Sequence, residues 1–437
     1  MPRPADGPRG LTEKLALLRQ KLGHKARQEP RFRFSTVNDR ITRRDTLEAA
    51  WQQVRTNGGA PGVDGQTIAQ NEQLTGGAAA WLEDIQATLQ RHQYRAQPVR
   101  RVYIPKGNGG RRPLGIPTIR DRVVQTATLL ILEPIFEADF RDCSFGFRPG
   151  RSAHQALDVL RQHLQAGERV VYDADLASYC DTIPHDKLLS CLRMRIADGA
   201  VLGMIQQWLA APVAETDGAG PPQMRRSRQG TPQGGVLSPL LAHLYLHWFD
   251  VVFQRAVRAA GGNAHLVRYA DDFVIVARTD EKLEIAHVEE RLETWLGLRI
   301  NRDKTRVVDL TEDGAHLDFL GFTLRYDRDR HGRAGCYLNV QPSEKALGRA
   351  RERVRQMTFP QQGAVPVPTL VAAMNRYLTG WAQYFGYGYP RDAFRRINYF
   401  VQERLYRHLR RRSQRPFRPP SGISTTAYWQ RLGLVFL

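Results

Sequence analysis

The sequence predicts an α+β chain that ends in a helical domain, and three observations carry that expectation. Between Arg100 and about Asp329, β-branched and aromatic runs alternate with helical patterns, as in "HLVRYADDFVIVAR" (His265 to Arg278). From about Pro342 the apolar residues recur at helical spacing. Leu370, Met374, Leu378, Trp381 and Phe385 share one face, and Phe394, Ile397, Val401, Leu405 and Leu409 another. The chain of 437 residues is long enough for about two or three domains with substantial cores.

Taken in order, residues 1–35 form a basic extension whose "LTEKLALLRQKLGHK" is amphipathic and lacks the apolar centre of a signal peptide. A helix follows over "RRDTLEAAWQQVRTN", then the turn-rich "GGAPGVDGQTI" (Gly58 to Ile68). "RVYIPKGNGGRRPLGIP" reads as a hairpin carrying Lys106, Arg111 and Arg112. "RVVYDADLASYCDTIPHDKLL" supplies a strand around Val170 to Ala174 and a helix from about Pro184. "ETDGAGPPQMRRSRQG" reads as an exposed hairpin loop. In "RQGTPQGGVLSPLLAHLYLHWF" a Gly-rich loop enters a helix with Ser238 as N-cap and Pro239 at the first helical position. The second C-terminal helix carries Arg395, Arg396, Arg404, Arg407, Arg410, Arg411 and Arg412 around its apolar stripe, a density suited to phosphate backbone. The expected division is therefore a basic extension (1–35), an α+β unit (36–335) and a helical domain (336–437).

Charge narrows the function. The chain has 64 Lys and Arg against 44 Asp and Glu, a net +20. Such an excess calls for a polyanionic partner, and nucleic acid outranks membrane because no apolar run of about 18 residues exists. Cytoplasmic residence is expected. Cys143, Cys180, Cys191 and Cys336 contain no CxxC pair, so neither a zinc site nor a disulfide framework is expected.

The chemistry concentrates on Asp271 and Asp272, which interrupt an apolar strand pattern at its middle. An Asp-Asp pair by itself is most often only a turn. Here the flanks are too apolar for a solvated loop, which places the pair at a rigid hairpin connection. Two carboxylates about 4 Å apart repel by roughly 4 kcal/mol at an effective dielectric near 20, so a fold that gathers them needs a cation, and Mg²⁺ takes carboxylates together with substrate phosphates. Asp173, Asp175 and Asp181 are candidate partner acids, and spacing alone does not choose between Asp173 and Asp175, which share a strand face. Backbone amides of the Gly-rich loop, with Lys106, Arg111 and Arg112, suit a polyphosphate.

Together these segments resemble bacterial group II intron reverse transcriptases, also called intron-encoded maturases. The matching blocks are "NGGAPGVDG" (Asn57 to Gly65), "IPKGNGGRRPLGIPTIRDRVVQ" (Ile104 to Gln125), "SFGFRPGRSAHQAL" (Ser144 to Leu157), "DADLASYCDTIPHDKL" (Asp173 to Leu188), "GTPQGGVLSPLLAHLYL" (Gly230 to Leu246), "YADD" (Tyr269 to Asp272), "LGLRINRDKT" (Leu296 to Thr305) and "DFLGFTL" (Asp318 to Leu324). Downstream, "MNRYLTGWAQYFGYG" (Met374 to Gly388) resembles the maturase or thumb region. The resemblance implies a right-hand fold, with α+β fingers and palm and then a helical thumb. It implies Asp175, Asp271 and Asp272 as the catalytic triad, with two Mg²⁺ ions, or Mn²⁺ as a substitute, on Asp175, Asp271 and the Leu176 carbonyl. Lys106 and Arg112 would hold the triphosphate, Tyr179, Cys180 and Gln233 would line the nucleotide pocket, and Lys304 would donate a proton to pyrophosphate. Arg148 and the thumb arginines Arg395, Arg396, Arg404, Arg407, Arg410 and Arg411 would bind RNA.

The implied partners are an RNA template with a DNA primer, deoxynucleoside triphosphates, the cognate group II intron RNA and target DNA, with no membrane, beside the bacterial nucleoid. The family carries Phe at the position of Cys180, where it excludes a 2′-hydroxyl, so relaxed discrimination against ribonucleotides is expected. No Cys-pair and His-Asn cluster of an endonuclease follows the maturase-like region, so priming from another source is expected. A domesticated relative in DNA repair or phage defence, or a splicing factor with incidental polymerase activity, would share these motifs.

Overall fold

The computed structural model describes residues 10–74, 76–105, 110–215, 223–226, 228–232, 234–259, 261–262, 264–280, 285–328, 335–412 and 420–437. Lys106, Gln233 and the centre of the "ETDGAGPPQMRRSRQG" loop lie outside them. In chain order the strands are β1 (Val99–Pro105), β2 (Arg111–Ile116), β3 (Val170–Ala174), β4 (Val213–Glu215), β5 (Gln223–Arg225), β6 (His265–Tyr269), β7 (Asp272–Ala277), β8 (Arg306–Asp309), β9 (Leu317–Phe319), β10 (Phe322–Arg328) and β11 (Cys336–Pro342). They form sheets in the orders β2-β1-β4-β5, β6-β7-β3-β8 and β11-β10-β9. Two compact units result, residues 1–160 with 172–306, and residues 161–171 with 307–437.

In the first unit, β1 and β2 are antiparallel with Ile104 opposite Arg112 and Pro105 opposite Arg111, so both arginines stand at the far end of a hairpin. Antiparallel β4 and β5 are the two arms of the exposed hairpin that the sequence suggests. The helix Arg44–Asn57 stops at Gly58, whose φ of 59° supplies the left-handed cap that side-chain-bearing residues adopt at a cost. Helix Ile119–Glu137 is buried on nearly all sides, which is why its sequence "VVQTATLLILEPIF" shows little amphipathic contrast. Helix Ser238–Ala259 begins where the sequence suggests, with one correction. The Ser238 hydroxyl donates to the Pro232 carbonyl at 2.8 Å, and Ser238 is already helical rather than the N-cap. It ties the Gly-rich loop to the helix it precedes.

In the second unit, β10 pairs along its length with β11 and over its first residues with β9. Helix Val367–Phe385 buries Leu370, Met374, Leu378, Trp381 and Phe385, and helix Arg391–Arg411 buries Ile397, Val401 and Leu405. Trp381 stacks at 4.8 Å on Phe385, and the Tyr384 hydroxyl donates to the Leu320 carbonyl at 2.9 Å. Both aromatics therefore belong to the packing of this unit rather than to an exposed stacking platform. Among the described residues, no helix is long and apolar enough to cross a membrane.

Candidate active site

The two acids that interrupt the apolar run sit at a hairpin. Tyr269 pairs with Asp272, leaving Ala270 and Asp271 at the turn, with Ala270 in the left-handed region at φ 60°. The strands behind them bury Leu266, Val267 and Phe273 to Ala277, so the pleat is anchored in the core while both acids stand at its open end, the Asp272 carboxyl still hemmed in by surrounding protein. Turn geometry is braced from two sides. Arg268, fully buried, donates to Asp250 Oδ1 at 2.8 Å and through a second nitrogen to Oδ2, and its remaining arm reaches the Ala270 carbonyl at 2.8 Å. The loop "SFGF" supplies the other brace, with Phe145 N–H donating to the Arg268 carbonyl at 2.9 Å.

Gly146 lies directly against that turn. A Cβ built on it would overlap the Ala270 nitrogen and lie 3.0 Å from the Ala270 Cα. Backbone cannot swing aside as a side-chain tip can, so Gly146→Ala must displace the turn. We expect a stability loss of about 1–3 kcal/mol, read by thermal unfolding, and at least a tenfold fall in kcat/KM for the reaction that the turn acids serve. A variant with wild-type kcat/KM would show that the turn tolerates the displacement.

The candidate partner acids separate once their neighbours are visible. Asp175, one residue past the end of β3, accepts from Lys304 Nζ and from Asn301 Nδ2, each at 3.1 Å, and its carbonyl accepts from the Asn301 N–H at 2.8 Å. Asp173 faces Arg306 at 3.5 Å instead. Asp181 turns its backbone toward Gly230. The Asp272 carboxyl is pushed up to about 6, first by burial and then by the negative charge of Asp271, Asp175 and Asp173, with Lys304 opposing. That mutual repulsion marks carboxylates held close enough to share a cation.

Leu176 completes the picture. It pairs across from Ile300 between two hydrogen bonds, Ala177 N–H to the Arg299 carbonyl and Asn301 N–H to the Asp175 carbonyl, each 2.8 Å. In such an antiparallel pair the central residues point their own N–H and C=O groups away from the partner strand, so the Leu176 carbonyl is outside this ladder. Carboxylates and an outward carbonyl are hard oxygen donors, and they fit a divalent metal such as Mg²⁺.

Beside the turn, a cleft of about 250 Å³ is lined by Arg112, Phe147, Tyr179, Cys180, Ala270 and Asp271, among others. Tyr179 is buried and donates its hydroxyl to the Ala242 carbonyl at 2.5 Å. It is thereby held in the wall and does not swing into the space beside Cys180. The Cys180 thiol is pushed up to about 11, chiefly by burial, with Asp271 and Asp181 raising it further and Arg112 opposing, so it stays a neutral thiol.

The arginines expected to meet RNA fall into two groups. Arg148 is corrected to a structural role. Its side chain is 3% exposed, it forks onto Glu137 at 2.7 Å, and it donates to the Arg141 and Ser144 carbonyls at 2.6 Å, which locks the "SFGFRPG" loop. Arg404 is half-buried, donating to Thr358 Oγ1 at 3.0 Å. Arg396 forks onto Glu344 at 2.5 and 2.9 Å. Arg395 pairs with Asp392 at 2.5 Å and Arg407 with Glu403, while remaining largely exposed; Arg410 stacks on Tyr406, and Arg410 and Arg411 face solvent. Sequence reading missed Asn301, Gly146, Phe147 and the Arg268–Asp250 pair. For Arg268 a signal existed, since an arginine inside a buried apolar strand requires a buried acid.

A family model described as "Reverse transcriptase (RNA-dependent DNA polymerase)" matches residues 104–324, half of the chain, and the chain belongs to that family. A second, "Group II intron, maturase-specific domain", matches residues 347–420. The protein is thus an RNA-directed DNA polymerase with a maturase domain, of the group II intron type, and such polymerases depend on a divalent metal. Among curated relatives, Protein YkfC of Escherichia coli is 35% identical over 367 residues, 75% of this chain and 93% of YkfC. The group II intron-encoded protein LtrA of Lactococcus lactis subsp. cremoris is 36% identical over 220 residues, 50% of this chain and 35% of LtrA.

Proposed function

We propose that the protein extends a DNA primer on an RNA template at the Asp175, Asp271 and Asp272 cluster, and that it binds its own group II intron RNA to promote splicing and retromobility. The supporting observation is the gathering of those three acids with Lys304, one of them, Asp271, lining a cleft together with Arg112 and Cys180. Asp175, Asp271 and the Leu176 carbonyl would hold two Mg²⁺ ions, which when bound neutralise phosphate charge and favour ionisation of the primer 3′-hydroxyl.

The protein's own groups have separable tasks. Arg112, on the hairpin of β1 and β2, grips the triphosphate as a planar fork of donors, and Lys106 would hold the same group. Lys304, its Nζ 3.1 Å from Asp175, would donate a proton to the leaving pyrophosphate. Gln233 would contact the nucleotide from the Gly-rich loop. The exposed arginines Arg395, Arg407, Arg410 and Arg411, with the basic N-terminal segment, would track RNA backbone and make its binding steeply salt-dependent. Functionally we divide the chain at about residue 335, with fingers and palm before it and the thumb after it.

The test is primer extension by the purified protein on an RNA template with a DNA primer and Mg²⁺, with Asp271→Ala as control. Extension in the wild type and its loss in the variant are expected; no extension, with tight binding to structured RNA retained, would shift the role to splicing. Deoxynucleotides and ribonucleotides should be compared in the same assay. Cys180 is small and Tyr179 is tied into the wall, so measurable ribonucleotide incorporation is expected, falling about tenfold in Cys180→Phe. An unchanged nucleotide preference in that variant would remove Cys180 from sugar selection.

A further inference from the structure

Three aromatic rings line the cleft among the described residues, and they differ in what holds them. Tyr179 is 3% exposed and hydrogen-bonded to Ala242; His243 is 3% exposed, with Nε2 3.0 Å from Ser144 Oγ. Phe147 is 68% exposed. Its ring therefore contributes little to the packing of the unit. Its backbone is left-handed at φ 55°, a conformation strained for an aromatic residue.

The surroundings impose that strain. Arg148, buried on Glu137, grips the Ser144 carbonyl at 2.6 Å; Phe145 is bonded to Arg268; Gly146 is pressed against Ala270. A loop so firmly held leaves Phe147 one place, and that place is the open wall of the cleft beside Asp271 and Cys180. Strain that is over-determined by its neighbours and ends in an exposed ring at a reaction site is an observation from which a role can be argued.

We propose that Phe147 is a nucleotide-selecting residue, its ring packing on the deoxyribose and base of the incoming nucleotide. This rests on the polymerase reading above. The Cys180 side chain is small and Tyr179 is fixed in the wall, so Phe147 is the large apolar surface of the cleft that a nucleotide can cover. Contact with a ring is tolerant of base identity, because every base has a π-face. Against the sugar, the same ring meets a 2′-methylene without penalty but strips water from a 2′-hydroxyl and offers it no partner.

The experiment compares wild type, Phe147→Leu and Phe147→Gly in primer extension on an RNA template, reading KM and kcat for deoxynucleotides and ribonucleotides, with Tm measured in parallel. Glycine removes the ring and relieves the left-handed backbone. Phe147→Gly should therefore raise Tm while raising deoxynucleotide KM roughly tenfold and cutting the preference over ribonucleotides by about the same factor. Phe147→Leu, which keeps a side chain but no ring, should fall between and is decisive if the glycine variant does not fold. KM and preference unchanged in both variants would overturn the proposal, as would a fall in Tm with kcat alone reduced, the pattern of a structural residue. A wild type that extends no primer would overturn the polymerase reading itself, and the proposal with it.

Discussion

Asp175→Asn and Asp271→Ala should each lower primer extension by at least about 10³-fold, because each removes a formal charge and a hard oxygen donor where phosphoryl transfer needs both. The same substitutions should not lower stability. Asp272 is held up near 6 by burial and by its acidic neighbours, so the unmetallated cluster stores repulsion that either variant relieves. Tm in chelator is therefore expected to stay level or rise while activity disappears. In saturating Mg²⁺ the wild type should gain more Tm than either variant, because the ion stabilises only the state that binds it. Retained extension in Asp271→Ala would show that the turn acids are not the metal ligands. A sharp fall of Tm in chelator would instead mean that the acids support the fold.

Asp250→Ala should be the most destabilising single change away from the site, costing about 3–5 kcal/mol. Arg268 and Asp250 are both 0% exposed, and the carboxylate neutralises a guanidinium that also holds the Ala270 carbonyl at 2.8 Å. Truncating the acid leaves a cation buried among apolar strands and frees the turn that carries Asp271. Stability and activity should then fall together, in contrast with the triad variants. Denaturant titration and primer extension on the same preparations read both. The double variant Asp250→Leu/Arg268→Met should recover much of the stability, since a buried ion pair replaced by apolar residues of similar volume is often neutral. It should recover less of the activity, since the bond to Ala270 is gone. A loss below about 1 kcal/mol in Asp250→Ala would show that water reaches Arg268.

The aspartate pair at the hairpin, the helix starting near Pro184 and the two apolar faces of the C-terminal helices were legible as local patterns. Each depends on residues a few positions apart, and periodicity or turn chemistry reports that spacing directly. Arg148 was misread for a different reason: Ser144, Arg141 and Glu137 lie only 4, 7 and 11 positions away, but an irregular loop has no periodicity to tell which of them its side chain meets. Cys180 was visible as a departure from its family's pattern, but that Tyr179 is tied to Ala242, 63 positions away, was not.

The sequence by itself determined the class of chemistry, through the order of its blocks, the acids at 175, 271 and 272, and the basic excess of +20. Only the tertiary structure decided which acid near β3 stands with Lys304 and Asn301, that Arg268 and Asp250 brace the turn, and that Phe147 is the exposed ring of the cleft. The physical reason is range. Asp175 meets Asn301 and Lys304 across 126 and 129 positions, and burial, charge pairing and exposure are properties of what the chain brings alongside a residue, which no local pattern encodes.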